Sequence, residues 1–271
     1  MNKAKITLKG VQETLLLPLW GRSFETKKEK PLLVDYDAVR IIDLLDYDFS
    51  QIEQKVNSLS RLSWIARCIY FDQKINEYLE KNPNGTIINV GCGFDTTYER
   101  IQNGIAKWYE LDFPEVIETR KKLLNESSNR FYLPYSVFDP SWYAKIEHKE
   151  NVFLMMAGLI YYFTEDEIKS LLKSFRSEFN NCTVIFDYSS IKGMEIANKK
   201  VIDDVGMDKS AYLKWGINNI KDIEKWNTGI TVNENMKMFE EHRKKYPFNK
   251  RIGMWISDTL SVMSLAKILI K

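Results

Sequence analysis

Apolar residues recur at helical spacing through the first third of the chain and give way to short β-rich runs after it. Between Leu59 and Leu79, the residues Leu62, Ile65, Ala66, Ile69, Tyr70 and Ile75 follow a 3.6-residue rhythm, and residues from about 33 to 80 read as helices. Asn82-Pro83-Asn84-Gly85 then breaks the rhythm with turn chemistry. Thr86-Ile87-Ile88-Asn89-Val90 reads as a buried strand entering the tight turn Gly91-Cys92-Gly93. Trp108 to Leu111 predicts a second strand. Pro114 to Leu124 predicts a helix with Val116, Ile117, Leu123 and Leu124 on one side, and Tyr132 to Val137 a third strand. Val152 to Met156 is apolar enough for a central strand covered on both faces. Thr164-Glu165-Asp166-Glu167 has the form of a capping box, with Ile168, Leu171, Leu172 and Phe175 as the stripe behind it. Thr183 to Phe186 predicts a fifth strand, and Ile230-Thr231-Val232 and Leu265 to Ile270 two late ones. This alternation predicts an α/β fold with a mostly parallel sheet flanked by helices. Residues 1–82 form an expected N-terminal helical cap and residues 83–271 the core. A polar–apolar insertion at about 188–227 is placed to act as a lid over the strand ends.

Composition narrows the function classes. Lys plus Arg total 39 against 37 for Asp plus Glu, a net charge of +2, so a nucleic-acid partner working by counterion release is not expected. The runs Lys27-Lys28-Glu29-Lys30 and Arg243-Lys244-Lys245 read as solvated faces. Cys68, Cys92 and Cys182 are the three cysteines and form no CxxC pair, which argues against a disulfide framework or Cys-rich zinc site and fits a reducing compartment. With only His148 and His242, a His-rich metal centre is not expected either. Val152 to Phe163 is too short to span a bilayer, and Leu15 to Trp20 lacks the flanks of a signal peptide. The expectation is a cytoplasmic protein with no membrane partner.

The candidate chemistry begins at Asn89-Val90-Gly91-Cys92-Gly93-Phe94-Asp95. A strand-to-helix glycine turn lets backbone N–H groups approach a ligand closely. Asp112 ends the next strand, 19 residues beyond Gly93, where a carboxylate can accept both hydroxyls of a ribose. Asp112-Phe113-Pro114-Glu115 also has the form of a helix start, and capping and ribose binding are compatible. The third glycine of the dinucleotide fingerprint is missing, since Phe94 and Asp95 follow Gly93. That weighs against NAD or FAD and favours an adenosine cofactor without phosphate, S-adenosylmethionine.

The segments "IINVGCGFDTTYERI", "KWYELDFPEVIETRKKLL" and "VFLMMAGLIYYFTEDEIKSLL" resemble the leucine carboxyl methyltransferase-like family. The nearer branch is that of tetracenomycin-type polyketide O-methyltransferases. "GVQETLLLPLWGRSF" and "SRLSWIARCIYFD" are similar to the same family, so the resemblance runs over residues 8–190. It implies a class I methyltransferase fold with a seven-stranded Rossmann-like sheet and an N-terminal helical segment that closes over the cofactor. It further implies that Arg67 pairs with the cofactor's methionine carboxylate, that Gly91, Gly93 and Gly158 lie against the cofactor, and that Asp112 holds the ribose. Asp139 would accept from the adenine amino group, and Arg22 falls where the family has another basic contact. Other readings stay open: Arg67 as a surface helix arginine, Asp139 before Pro140 as the start of a turn. Where family members commonly carry Glu-Gly or Glu-Cys, this chain has Ala157-Gly158, so a carboxylate beside the methionine end is absent.

Methylation of a carboxylate requires no base, whereas a phenol or alcohol usually requires one. Both histidines lie in charged surroundings that read as solvated, which favours a carboxylate or an otherwise activated hydroxyl. The expected partner is a small-molecule acceptor, with Tyr161, Tyr162 and Trp215 as pocket residues and Met194, Ile196 and Tyr212 as further lid positions. Three alternatives remain at this level. One is a cofactor-binding protein without catalysis, another an enzyme acting on a protein C-terminal carboxylate, and the last an NAD-dependent oxidoreductase.

Overall fold

The computed structural model of the protein describes residues 4–5, 14–101, 104–204, 206, 208–226, 229–246 and 248–271. Residues 1–3 and 6–13 of the expected cap, and 205, 207 and 227 of the expected lid, lie outside the described residues. Seven strands form one sheet: β1 (Thr86–Val90), β2 (Lys107–Asp112), β3 (Arg130–Pro134), β4 (Glu150–Met156), β5 (Asn180–Tyr188), β6 (Ile230–Lys237) and β7 (Ser264–Ile270). Their order is β3-β2-β1-β4-β5-β7-β6, and only β7 runs against its neighbours. The chain leaves β1 for β2 on one side and reaches β4 on the other. The strand order therefore reverses between β1 and β4, which opens a crevice at their carboxyl ends.

Side-chain alternation along the central strands explains why both faces are covered. Ile87, Phe153, Met155 and Ile185 point to one face, where they meet Leu62, Phe71 and Ile75 of α4 (Ser58–Lys81). Ile88, Leu154, Met156 and Val184 point to the other, where Ile168, Leu171, Leu172 and Phe175 form the stripe of α7 (Glu165–Glu178). The Thr164–Glu167 capping box is formed at the start of α7. Ahead of the sheet come α1 (Leu16–Thr26), α2 (Tyr36–Leu44) and α3 (Ser50–Lys55), which share a third cluster with Phe94 and Leu123. The long helix α4 thus packs on the sheet while α1 reaches the strand ends.

The sheet differs from the sequence expectation at its β3 edge. The strand runs Arg130–Pro134 and stops before Tyr135-Ser136-Val137. It begins with a charged residue because Arg130 is buried against Glu99 and Glu110, a pairing that sequence periodicity does not register. A helix with no counterpart in the expectation, α9 (Phe248–Thr259), precedes β7. Phe248, Ile252, Trp255 and Ile256 have helical spacing that would have indicated it, yet all four are exposed and none joins the core.

The 188–227 segment holds α8 (Ile191–Ala197), a π turn at Asn198–Asp203 and two 3-10 turns. It is strapped to the core where the Lys214 and Trp215 N–H groups donate to the Tyr161 carbonyl at 2.7 and 3.1 Å. Trp215 is buried against Trp226 with ring centroids 6.3 Å apart. Trp215→Ala should therefore behave as a core truncation, costing about 3–5 kcal/mol in urea unfolding. A variant of unchanged stability would place the indole outside the core.

Candidate active site

The carboxyl ends of β1, β4 and β5, with α1, α4 and α9, enclose a cavity of about 390 Å³. Its lining includes Arg22, Arg67, Asn89, Gly91, Gly93, Asp95, Ala157, Gly158, Tyr161, Tyr162 and Asp187. The sequence thus brings Arg67, Gly91, Gly93, Gly158, Tyr161 and Tyr162 to one place. Ile196 also lines it, but Met194, Tyr212 and Trp215 do not. Met194 and Trp215 pack in the core, and the Tyr212 hydroxyl donates to Asp203 at 2.5 Å. The roof is shared with Met238, Ile256, Leu260 and Met263, which follow the expected lid in sequence.

The glycine turn is fixed from several directions. Gly91 and Gly93 have φ of +68° and +44°, a region that residues with a Cβ rarely adopt. The Gly91 and Cys92 N–H groups donate to the Leu111 carbonyl at 2.8 and 3.1 Å. The Gly93 N–H donates to Asp112 Oδ2 at 2.7 Å, and Arg120 donates to the Gly93 carbonyl at 2.8 Å. Arg120 itself is buried against Glu110. Asp112 Oδ1 accepts from the Phe113 N–H at 2.8 Å. Its carboxylate therefore ties the turn to the end of β2, and the N-cap of α6 (Pro114–Leu123) is Phe113 rather than Asp112. Burial pushes the Asp112 carboxyl up to about 6 in spite of those two donors.

From the cap side, Arg22 donates to Asp35 Oδ2 at 2.8 Å and to the Phe94 carbonyl at 2.7 Å. Asp35 caps α2 through the Ala38 N–H at 2.8 Å and also receives Thr96 and Arg100 at 2.5 and 3.0 Å. Arg100, on the short helix α5 (Thr97–Ile101), closes the network on Asp72 of α4 at 2.7 Å. Burial opposes ionisation of Asp35, but Arg22 and Arg100 outweigh it and the carboxyl lies below its ordinary value. The same contest leaves Asp95 at about 2, with Arg100 and Arg22 overcoming burial.

Arg67 is buried, not a surface helix residue, and pairs with Asp187 at 2.7 Å. Asp187, at the end of β5, was not singled out by sequence. Its only signal there is an acid closing a strand. Asp112 and Asp139 both lie outside the cavity lining: Asp112 sits behind the glycine turn with its oxygens on the Gly93 and Phe113 N–H groups, and Asp139 Oδ1 accepts from the Ser141 N–H at 2.8 Å to start a 3-10 turn. His148 is exposed as expected, whereas His242 is buried, 9% exposed, in a turn where its N–H donates to the Phe239 carbonyl. Neither histidine lines the cavity. Burial raises the phenols of Tyr161 and Tyr162, so both stay protonated at neutral pH. The three cysteines are free and buried, and the described residues contain no group of three His, Cys, Asp or Glu side chains that could hold a metal. No described helix is long and apolar enough to cross a membrane.

The sequence profile of the family described as Leucine carboxyl methyltransferase matches residues 17–176, from within α1 through the glycine turn into α7. The chain belongs to the leucine carboxyl methyltransferase family. Among relatives, it is 25% identical to the tetracenomycin polyketide synthesis O-methyltransferase TcmP of Streptomyces glaucescens, over 87% of this chain and 86% of that one. It is 24% identical to the S-adenosyl-L-methionine-dependent methyltransferase dpfgK of Gibberella zeae, over 90% and 88%. A Thermobifida fusca structure described as a methyltransferase superposes with a TM-score of 0.56 at 14% identity, covering 93% of this chain and 94% of that one. The fold is that of class I methyltransferases, and the cofactor of this family member is S-adenosylmethionine.

The Arg22–Asp35–Arg100 network is the main polar joint between the family's glycine turn and the helices before it. Removing one member of a buried pair leaves the others uncompensated, so Asp35→Asn should cost about 3–5 kcal/mol at neutral pH. Because the folded-state carboxyl is depressed, its stabilisation is present above the ordinary Asp value of 3.8 and is lost as pH falls below that. Urea titrations across pH 2–7 should show the acid limb flattened in the variant. An unchanged slope would remove Asp35 from the joint.

Proposed function

We propose that this protein is an O-methyltransferase acting on a small-molecule carboxylate, with an acidic hydroxyl as the next acceptor class. The observation that carries this reading is that, among the described residues, the cavity lining presents no free base. No histidine lines it, both phenols are held protonated, and each of its two carboxylates, Asp95 and Asp187, is engaged by arginine or backbone N–H groups. An acceptor that arrives already ionised suits such a site. The similarity to TcmP supports a small acceptor, as does a chamber roofed by Leu213, Met238, Leu260 and Met263. Ile256 and Leu260 are half exposed and line the cavity, which puts an apolar entrance at α9.

The residues present fit the cofactor. Arg67 keeps Nε buried and unpartnered among the described residues, which leaves a donor for a carboxylate beyond Asp187. Gly91, Gly93 and Gly158 supply bare backbone along the cavity wall, and Asp112 would accept the ribose hydroxyls. S-adenosylmethionine supplies an electrophilic methyl on a sulfonium with a good leaving group. The protein's part is then alignment and exclusion of water: the glycine turn and Arg67 fix one reactant, and Tyr161, Tyr162 and the apolar roof confine the other.

Incubation with the cofactor and a panel of aromatic and aliphatic carboxylic acids, phenols and C-terminal peptides should give methyl esters of small acids. Turnover of peptides alone would overturn the acceptor class, and cofactor binding without any product would point to a binding protein. Asp112 sets a pH dependence. An ionised carboxylate can accept from both ribose hydroxyls and is a stronger acceptor than the protonated acid, so S-adenosylhomocysteine should bind more weakly as pH falls through about 6. Asp112→Asn should remove that dependence and lower affinity about tenfold to hundredfold at pH 7.5. Calorimetry at several pH values tests this, and a variant with wild-type affinity and pH profile would remove Asp112 from the ribose site.

A further inference from the structure

Opposite charges lie side by side in the cavity wall. Arg67 Nη1 donates to Asp187 Oδ2 at 2.7 Å, and the Gly158 N–H donates to Asp187 Oδ1 at 2.6 Å. Arg67 is 6% exposed and Asp187 1%, and both line the cavity together with Gly158. Gly158 has a φ of +72°, and a Cβ there would stand 2.8 Å from Arg67 Nη1, so the ion pair itself requires glycine at this position. A buried ion pair rarely adds net stability over apolar residues of the same volume, because desolvation offsets most of the attraction. Here the pair borders open space, and neither member is saturated. Arg67 Nε has no partner among the described residues, and a carboxylate with two donors still has lone pairs to offer.

We propose that Arg67 and Asp187 together form a receptor for an α-amino acid zwitterion, with Asp187 taking the ammonium group of the cofactor's methionine end while Arg67 takes its carboxylate. The inference rests on the cofactor reading above and adds to it the acidic half of the site. An α-amino acid carries a carboxylate and an ammonium on one carbon, and a guanidinium beside a carboxylate presents the complementary charges at similar spacing. Register supports the placement. β4 and β5 pair in parallel with Met156 opposite Phe186, so Ala157 and Asp187 follow as neighbours on adjacent strand ends. Ala157 offers only a methyl group, and the acid comes from one strand further along the sheet.

Calorimetry with S-adenosylhomocysteine, its deaminated analogue and 5′-methylthioadenosine, which lacks the amino-acid end, separates the possibilities. Wild-type protein should bind the deaminated analogue about tenfold to hundredfold more weakly than S-adenosylhomocysteine. Asp187→Asn should lose a similar factor for S-adenosylhomocysteine and leave 5′-methylthioadenosine binding unchanged. Equal binding of S-adenosylhomocysteine and its deaminated analogue by the wild type overturns the proposal, and this arm requires no folded variant. So does an Asp187→Asn protein that keeps full S-adenosylhomocysteine affinity, or one that loses both nucleosides in equal proportion. Wild-type protein that binds none of the three ligands would instead overturn the cofactor-site reading itself, and the proposal with it.

Discussion

Two guanidinium groups hold consecutive carbonyls of the glycine turn. Arg120 reaches Gly93 from helix α6, and Arg22 reaches Phe94 from helix α1, at 2.8 and 2.7 Å. A backbone with positive φ at two positions is costly to keep in one conformation unless its surroundings over-determine it. Here each arginine is in turn fixed by a buried carboxylate, Glu110 for Arg120 and Asp35 for Arg22. The shape of the cavity therefore depends on charge pairs placed on either side of the turn.

The same arrangement links layers that the hydrophobic clusters leave distinct. Helix α4 belongs to the sheet by its apolar face, whereas α1 and α2 share a separate apolar cluster with Phe94 and Leu123. Asp35, Arg100 and Asp72 bridge α2, the short helix α5 and α4 through directional bonds. Apolar contact alone would tolerate sliding of the N-terminal helices over the strand ends. Hydrogen-bonded ion pairs set one register and so place Leu15, Pro18 and Arg22 along the cavity.

Inside that frame the chemistry is divided by position. The β1 end supplies the backbone of the glycine turn, which Asp112 braces from behind at the end of β2, the β4 and β5 ends supply Gly158 and the Arg67–Asp187 pair, and the roof beyond is apolar. Among the described residues, the cavity's carboxylates are committed to structural partners, while the phenols are held neutral by burial. Such a site favours alignment and exclusion of water over proton transfer, in keeping with transfer of a methyl group whose leaving group is already good.

Local pattern determined a large share of this. Short, nearly continuous apolar runs at 86–90, 152–156 and 265–270, and the Thr164–Glu167 capping box, specify their elements because each is fixed by neighbours within a few residues. The glycine turn and its acid at Asp112 were legible for the same reason: the turn requires glycine, and the acid closes the next strand. Tertiary structure alone decided the rest. Asp187 reads as an ordinary strand-end acid until folding brings Arg67, 120 residues away, against it. Trp215 and Met194 have pocket-like composition, but a large apolar side chain fills whichever void is nearest, and theirs is the core. His242 sits among charged neighbours in sequence yet is buried in a turn tied to the Phe239 carbonyl. Arg130 opens a strand that periodicity started later, because its charge is matched by Glu99 and Glu110 from other elements. Burial of a polar group is settled by partners distant along the chain, and spacing within one segment carries no record of them.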